Sequence, residues 1–146
     1  MSKKAPRAQE EESPKDRITR LVSERRITRE AVEQAEAFWR DRLRHGVRMP
    51  KREMVHVTLD DLYHVIVDPR IWRHPYRIEV AIANIFEIRV ARQERRLALS
   101  RWREDDQQRL AAVILGSDNT LKAIHLIDEV RLRRYTKQEG DVLWKH

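Results

Sequence analysis

The chain has 146 residues, 40% hydrophobic and 38% charged, so it has the size of one domain that can bury a core without disulfides or metal ions. It contains no cysteine, which excludes a disulfide framework, a thiolate zinc site and a cysteine nucleophile. The formal net charge of +7 predicts a polyanionic partner, and the lack of a long apolar run predicts a cytoplasmic protein that does not enter a membrane.

Residues 1–16 show no apolar periodicity, contain two prolines and carry charges that cancel, which predicts a disordered tail. Residues 17–146 are then predicted to form one α+β domain. In this domain a helical N-terminal extension, residues 17–50, precedes a core at residues 54–146.

The extension is predicted to contain two helices. The first covers residues 17–26, and the second begins at Thr28, a good N-cap residue. Ile27 and Val32 have the spacing of a hydrophobic staple around that cap, and Gly46 provides the C-terminal stop.

Two further helices are predicted after a short strand at residues 54–57. "TLDDLYHVIVDP" begins with Thr58 as its cap and is ended by Asp68-Pro69, because the residue before proline disfavours the helical region. The next helix is predicted from Pro75 to residue 92. Its expected buried face consists of Ile78, Ala81, Ile82, Ile85 and Ile88.

From Arg95 onward the apolar period changes to two, which is typical of strands. The predicted strands cover residues 96–103, 110–115, 120–128, 131–135 and 141–144. The "GSDN" sequence at residues 116–119 predicts a tight turn between the second and third. The predicted fold class is therefore α+β, with N-terminal helices followed by an antiparallel β-meander of four to five strands.

Strand alternation divides the sheet residues between two faces, both partly apolar. Leu97, Leu99 and Arg101 share one face, and Ala98 and Trp102 the other. His125 is predicted to share a face with Leu121, Ala123 and Ile127. The pattern leaves open which face packs on the helices.

The common enzyme motifs are not found in the sequence. Its three glycines lie far apart, so no glycine-rich phosphate loop exists, and no metalloprotease or calcium-loop motif is present. The remaining histidines, arginines and carboxylates suit RNA cleavage through the 2′-hydroxyl, which needs a base, an acid and cations. This chemistry predicts neither a metal nor a cofactor.

Four residues are candidates for catalysis: His125, His64, His74 and Tyr135. The alternative for His64 is a surface or structural histidine, and the alternative for His125 is a core histidine. "RIWRHPYR" combines cations and aromatic rings before a helix N-terminus, which is typical of nucleic-acid contact, although a capped loop with a buried tryptophan is equally consistent. The predicted nucleic-acid-binding residues are Arg70, Trp72, Arg73, Arg77, Arg96, Arg101, Arg133 and Arg134. Glu87 and Arg89 are predicted to form an internal salt bridge.

The segment "MVHVTLDDLYHVIVDPRIWRHPYRIEVAIANIFEIR", followed by a meander of short strands, resembles the small metal-independent ribonucleases of the barnase/EndoU/colicin/RelE-like superfamily. The resemblance covers residues 54–144 and rests on the pattern and order of elements. It implies RNA cleavage by His, Arg, Tyr or Glu side chains on the sheet, often in a bacterial or phage toxin that has a neutralising partner. The chain departs from barnase because no Glu–Arg–His set on successive strands is evident.

Three hypotheses follow: a small RNA-cleaving enzyme, a non-catalytic nucleic-acid-binding module with RNA as the favoured ligand, and a phage- or plasmid-type adaptor that binds an acidic protein. The location of His125 separates the first two. A cleft beside Arg101, Arg134 or Tyr135 favours catalysis, and a sealed core favours binding.

Overall fold

The computed structural model describes residues 12–138 and 140–146. It is an α+β fold in which N-terminal helices precede a five-stranded antiparallel sheet, and this confirms the predicted class. Of the tail predicted at residues 1–16, residues 1–11 lie outside the described residues. Residues 14–16 belong to a helix, so the predicted boundary of the tail is wrong there. No helix in the described part of the chain is long and apolar enough to cross a membrane.

The first two helices have side-chain caps at their N-termini. Helix α1 is Pro14–Ser23, and Ser13 caps it with proline at the first helical position. Helix α2 is Arg29–Phe38, and Thr28 Oγ1 accepts a hydrogen bond from Ala31 N at 3.0 Å, as the sequence predicted. A π-helical turn, Trp39–Leu43, continues α2. The predicted second helix is thus present, with a widened last turn.

Gly46 ends this helical segment with a φ of +92°, a region that favours glycine, and a small hairpin follows. The hairpin pairs β1, Val47–Arg48, with β2, Met54–Val55. Helix α3, Leu59–Val65, then begins with a complete capping box between Thr58 and Asp61.

Helix α3 ends at Val65, before the predicted stop. Asp68 and Pro69 instead start a four-residue helix α4, Pro69–Trp72, in which Asp68 Oδ1 accepts from Arg70 N at 2.9 Å. Helix α5, Tyr76–Ala83, follows after Pro75, where the sequence predicted a helix to begin.

The prediction that this helix continues to residue 92 is wrong, because Ile85–Val90 forms strand β3. A β-bulge at Phe86 explains the error: Ile85 pairs with Ser100, and Glu87 pairs with the next residue, Leu99. The extra residue brings Ile85 and Ile88 to the same buried face three positions apart. That spacing imitates a helix.

The remaining strands complete one antiparallel sheet. They are β4 (Arg96–Glu104), β5 (Gln107–Leu115), β6 (Leu121–Ile127) and β7 (Val142–Lys145). The strand order β6-β5-β4-β3-β7 makes β3 to β6 a meander, and β7 returns to pair with the outer side of β3. The predicted turn is confirmed by the hydrogen bond from Asn119 N to Gly116 O at 3.0 Å.

The predicted strand at residues 131–135 is wrong, because this segment lies within helix α6, Glu129–Gln138. Asp128 caps the helix by accepting from Arg131 N at 2.8 Å. Leu132 and Tyr135, three residues apart, pack onto the sheet, which is a helical spacing.

Both faces of the sheet are covered. Ala98 and Trp102 of β4 belong to the large core formed with α1 to α5. Leu97 and Leu99 belong to a smaller core under α6. The predicted alternation along β4 is therefore confirmed, and the helices α1 to α5 pack on the face that contains Ala98.

Candidate functional site

His64 stands in the last turn of α3, on the side away from the core. Its neighbours Leu62, Tyr63 and Val65 are buried, whereas the His64 side chain is exposed. The capping box at the start of α3 fixes the direction of the helix and therefore the position of this imidazole.

His125 lies on β6, an edge strand of the sheet, opposite Ala112 of β5. It is exposed, so it is not a core histidine. Strand β6 has a bulge between Leu121, which pairs with Leu115, and Ala123, which pairs with Ile114. The bulge turns Leu121 into the large core, so the prediction that Leu121 shares a face with His125 is wrong.

His64 and His125 line the same groove, which has a volume of about 200 Å³. The groove runs between the end of α3 and the edge of β6. Asp68 provides a carboxylate at its wall, and the apolar wall consists of Val65, Val67, Ala123 and Ile124. Two histidines from distant parts of the chain therefore lie at one small groove. His125 pairs with Ala112 of the smaller core, so it leaves β6 on the α6 side of the sheet edge, whereas His64 approaches from the α3 side.

Arg70 connects the two sides of the groove. Its Nη2 lies 3.3 Å from Asp68 Oδ2, and its Nη1 donates to the carbonyl of Leu126 at 3.4 Å. Leu126 is adjacent to His125 in β6. The guanidinium thus lies beside the groove with most of its surface open to solvent.

The charges around His64 are mainly positive. Although the His64 side chain is exposed, surrounding protein atoms partly shield it from water, and this desolvation lowers its pKa. The charge of Arg17 lowers the pKa further. Arg95 and His125 act in the same direction, and only the Asp61 carboxylate acts against them. The arrangement favours the neutral form of the His64 imidazole.

The structure does not bring His74 into the groove. His74 is exposed in the turn before α5, and its ring lies edge-on to that of Tyr76 at 5.9 Å. Trp72 packs against the large core, and Arg73 lies over its ring at 5.2 Å. The aromatic ring that was predicted to stack on bases is therefore partly covered by a side chain of the same loop.

Arg77 corrects the predicted list of nucleic-acid-binding residues. Only 6% of Arg77 is exposed, and its Nε donates to Glu104 Oε1 at 3.1 Å. Glu104 also accepts from Trp102 Nε1 at 3.3 Å. The Arg77 guanidinium, followed by smaller contributions from Trp102 and Tyr76, lowers the pKa of Glu104 to about 2. Arg77 is thus part of an internal ion pair and is closed to an external phosphate.

Arg101 and Arg96 also lie apart from His125. Arg101 stacks on the ring of Phe86 at 4.3 Å. Its strand β4 is two strands away from β6, which is about 10 Å in the plane of the sheet. Arg96 Nη1 lies 3.6 Å from Glu53. His125 therefore does not lie in a cleft beside Arg101, one of the arrangements that would have favoured catalysis.

The predicted internal salt bridge between Glu87 and Arg89 is present on β3. Lys145 of β7 lies 3.9 Å from the same carboxylate, and Arg89 Nη1 donates to Gly140 O at 3.4 Å. These contacts join β7 to β3 at the edge of the sheet opposite the groove.

The remaining candidates are on α6. Tyr135 is half-buried in the smaller core, with Arg131 6.0 Å from the centre of its ring, and it does not line the groove. Arg133 and Arg134 are exposed on the outer side of the helix. Arg134 and Tyr135, the two residues of this segment that were considered as cleft partners of His125, therefore do not line the groove.

Sequence reasoning missed Arg17 and Arg95 as neighbours of the site. Helical spacing places Arg17 one turn before the buried Leu21, at the edge of the apolar side of α1, but it does not show that α1 lies close to α3. Within residues 12–138 and 140–146, no group of three or more His, Asp or Glu side chains is arranged to hold a metal ion.

The chain shows no detectable match to protein-family models, to curated proteins or to solved structures.

Proposed function

We propose that this protein cleaves RNA at the phosphodiester bond, using the 2′-hydroxyl as the nucleophile and no metal ion. The observation that carries the proposal is the pair of imidazoles, His64 and His125, in one groove. Cleavage of this kind needs a base and an acid on either side of the reacting phosphate.

His64 is the proposed base. A base has to be unprotonated when the substrate binds, and the lowered pKa of His64 favours that form near neutral pH. The neutral imidazole accepts the 2′-hydroxyl proton as the 2′-oxygen attacks the adjacent phosphorus.

His125 is the proposed acid. In its protonated form it donates a proton to the departing 5′-oxygen as the bond from phosphorus to that oxygen breaks. The products are a 2′,3′-cyclic phosphate and a free 5′-hydroxyl, and the proton gained by His64 balances the proton lost by His125.

Cations around the groove support the same proposal. Arg70 is the guanidinium beside the groove, and Arg17 and Arg95 contribute positive charge at His64. Charge that develops on the phosphorane oxygens is stabilised by such fixed cations. The apolar wall formed by Val65 and Ile124 reduces the dielectric screening of these interactions.

The test is incubation of purified protein with end-labelled RNA in excess EDTA. The expected products carry 2′,3′-cyclic phosphate ends. A matched DNA oligonucleotide should remain intact because it has no 2′-hydroxyl. Intact RNA across a wide range of buffers would refute the proposal.

Substitution of the two histidines tests the assigned roles. We expect His64→Gln and His125→Gln each to lower kcat by about 100-fold or more, the typical contribution of a general acid or base. His45→Gln is the matched control, because His45 is an exposed histidine that does not line the groove. Equal rates for all three variants would remove the groove from the mechanism.

A non-catalytic RNA-binding module is the second candidate, and the exposed cations of α6 favour it. It predicts binding that weakens steeply with salt, without any cleavage product. His125→Gln separates the two functions. Loss of RNA cleavage with RNA binding retained favours the enzyme, because a binding module yields no cleavage product in the wild type.

A further inference from the structure

The outer side of α6 carries a row of three cations that the groove does not use. Arg133, Arg134 and Lys137, together with Val130, follow helical spacing and share one face, which we name the α6 cationic face. All four side chains are exposed, and they line a surface hollow of about 320 Å³.

No salt bridge within the described part of the chain neutralises the cations of this face. The salt bridges of residues 12–138 and 140–146 involve none of Arg133, Arg134 and Lys137. Like charges three and four residues apart on a helix repel one another and destabilise it. The fold therefore gains nothing from this cluster, whereas an anionic ligand would relieve the repulsion.

The helix that carries the cations is held in place from its other side. Leu132 and Tyr135 pack into the smaller core, and Asp128 caps the helix directly after β6. The face is thus presented on a packed element, so its charges are arranged before a ligand arrives.

The α6 cationic face lies close to the groove along the chain. Asp128 is three extended positions after His125, and Arg133 is five helical positions after Asp128. Their Cα atoms are therefore at most about 18 Å apart. One strand of RNA that is several nucleotides long can cover this distance.

We propose that the α6 cationic face binds phosphates of the RNA strand beyond the cleaved bond, so that the binding site covers several nucleotides. The inference rests on the proposed function for the identity of the ligand. Arginine binds phosphate with two parallel hydrogen bonds, and two of the three cations are arginines. The hollow has a single apolar side chain, Val130, whereas the centre of a protein interface is enriched in apolar and aromatic groups. RNA therefore fits better than an acidic protein.

The experiment measures binding without cleavage. The probe is a 2′-O-methyl RNA of about 16 nucleotides, which cannot be cleaved and is long enough for several contacts. Its affinity is measured as a function of salt for the wild type and for the triple variant Arg133→Gln, Arg134→Gln and Lys137→Gln. We expect the slope of log affinity against log salt to become shallower by about 2, because each lost phosphate contact contributes about 0.7.

The matched control is the triple variant Arg29→Gln, Arg40→Gln and Arg44→Gln. These arginines are exposed on the α2 segment, which packs on the face of the sheet opposite to α6. None of them lines the groove, and the change of net charge is the same. We expect this control to keep the wild-type slope. Glutamine keeps the helix propensity of arginine, and circular dichroism confirms that both variants fold.

Each outcome decides one question. A change of slope in both triple variants, or in neither, overturns the inference. It is also overturned if the wild type binds poly-glutamate as tightly as the RNA probe and the α6 variant binds poly-glutamate more weakly. Cleavage of a dinucleotide at the wild-type rate by the α6 variant agrees with the inference, because so short a substrate reaches only the groove. A wild type that binds the probe but cleaves no RNA refutes the proposed function and leaves the inference standing.

Discussion

Arg70 of α4 and Arg77 of α5 are close neighbours, since Arg77 Nη1 donates to the carbonyl of Arg70 at 2.9 Å, yet their guanidinium groups have different surroundings. Arg77 is buried against Glu104, whereas Arg70 is largely exposed beside the groove. Burial decides which arginine is available to a phosphate. Between His64 and His74 the distinction is location, because both are exposed and only His64 lines the groove.

The titration of His64 provides a prediction at this scale. Its pKa lies below the ordinary value of 6.5 because nearby protein atoms partly desolvate the ring and because of the charge of Arg17. Protonation of the base abolishes activity, so the acid limb of kcat/KM should lie below pH 6.5 and activity should rise as pH rises through it. Arg17→Gln should raise the pKa of His64 and move the limb to higher pH. The measurement is NMR titration of the imidazole, assigned with His64→Gln, together with the pH profile.

Arg42→Gln is the control for that titration. Arg42 pairs with Glu79 and is not among the charges that act on His64. An unchanged titration in Arg17→Gln would contradict the assigned cause of the shift.

The ion pair of Arg77 with Glu104 provides a second prediction. The pKa of Glu104 is lowered from 4.5 to about 2 in the folded protein, so the carboxylate contributes stability above pH 4.5. That stability is lost as pH falls from about 4.5 to about 2. Glu104→Gln should lower the free energy of unfolding at pH 7 by about 3 kcal/mol, because Arg77 is left buried without its counter-charge.

Urea unfolding at several pH values tests this prediction. The wild type should approach the variant in stability as pH falls through this window. Glu24→Gln, at an exposed ion pair of α1, should change stability by less than about 1 kcal/mol. A constant difference between wild type and Glu104→Gln at all pH values would show that charge is not the cause.

At the scale of elements, each histidine of the groove depends on a local feature of its own element. The capping box of Thr58 and Asp61 starts α3, and a bulge in β6 precedes His125. The cap can be read in the sequence because it depends on residues three apart. The bulge cannot, since it depends on which residues of β5 lie opposite.

Thr58→Ala tests the cap. Removal of the hydroxyl leaves Asp61 N without its acceptor, and we expect a loss of about 1 kcal/mol in the free energy of unfolding. The comparison is Thr19→Ala, in the middle of α1, where alanine is the better helix former and no loss is expected. Equal losses in thermal or urea unfolding would show that the cap has no special role.

At the scale of the whole molecule, one sheet separates two cores of unequal size. The large core contains the buried side chains of α3, and the smaller core holds α6 in place. Both cores use alternate residues of the same strands, for example Leu97 and Ala98 of β4. Unfolding of either core therefore disturbs the other.

Leu97→Ala tests this coupling. Leu97 is 1% exposed in the smaller core, and we expect its truncation to lower the free energy of unfolding by about 3 kcal/mol. The transition should remain single, with near-UV and far-UV signals changing together, because the sheet is shared. Leu143→Ala, at a residue that is 49% exposed, should change stability by less than about 0.5 kcal/mol. A separate early transition in Leu97→Ala would show that α6 unfolds independently.

The sequence by itself determined the fold class, the caps of α2 and α3, the turn at residues 116–119 and the alternation along β4. These features depend on residues close together in the chain, where capping, turn preference and period act directly. The same local rules misassigned β3 and α6. A bulge imitates helical spacing in β3, and arginines mixed with apolar residues imitate alternation in α6.

Only the tertiary structure decided the candidate site. His64 and His125 are 61 positions apart in the chain. Sequence reasoning placed His125 on the sheet and His64 or His74 on the helical side of one site, but the choice of His64 requires α3 to lie along the edge of β6. The same is true of Arg77, whose partner Glu104 is on another element. Such pairings are set by packing of the complete chain, because local propensity carries no information about which distant surfaces meet.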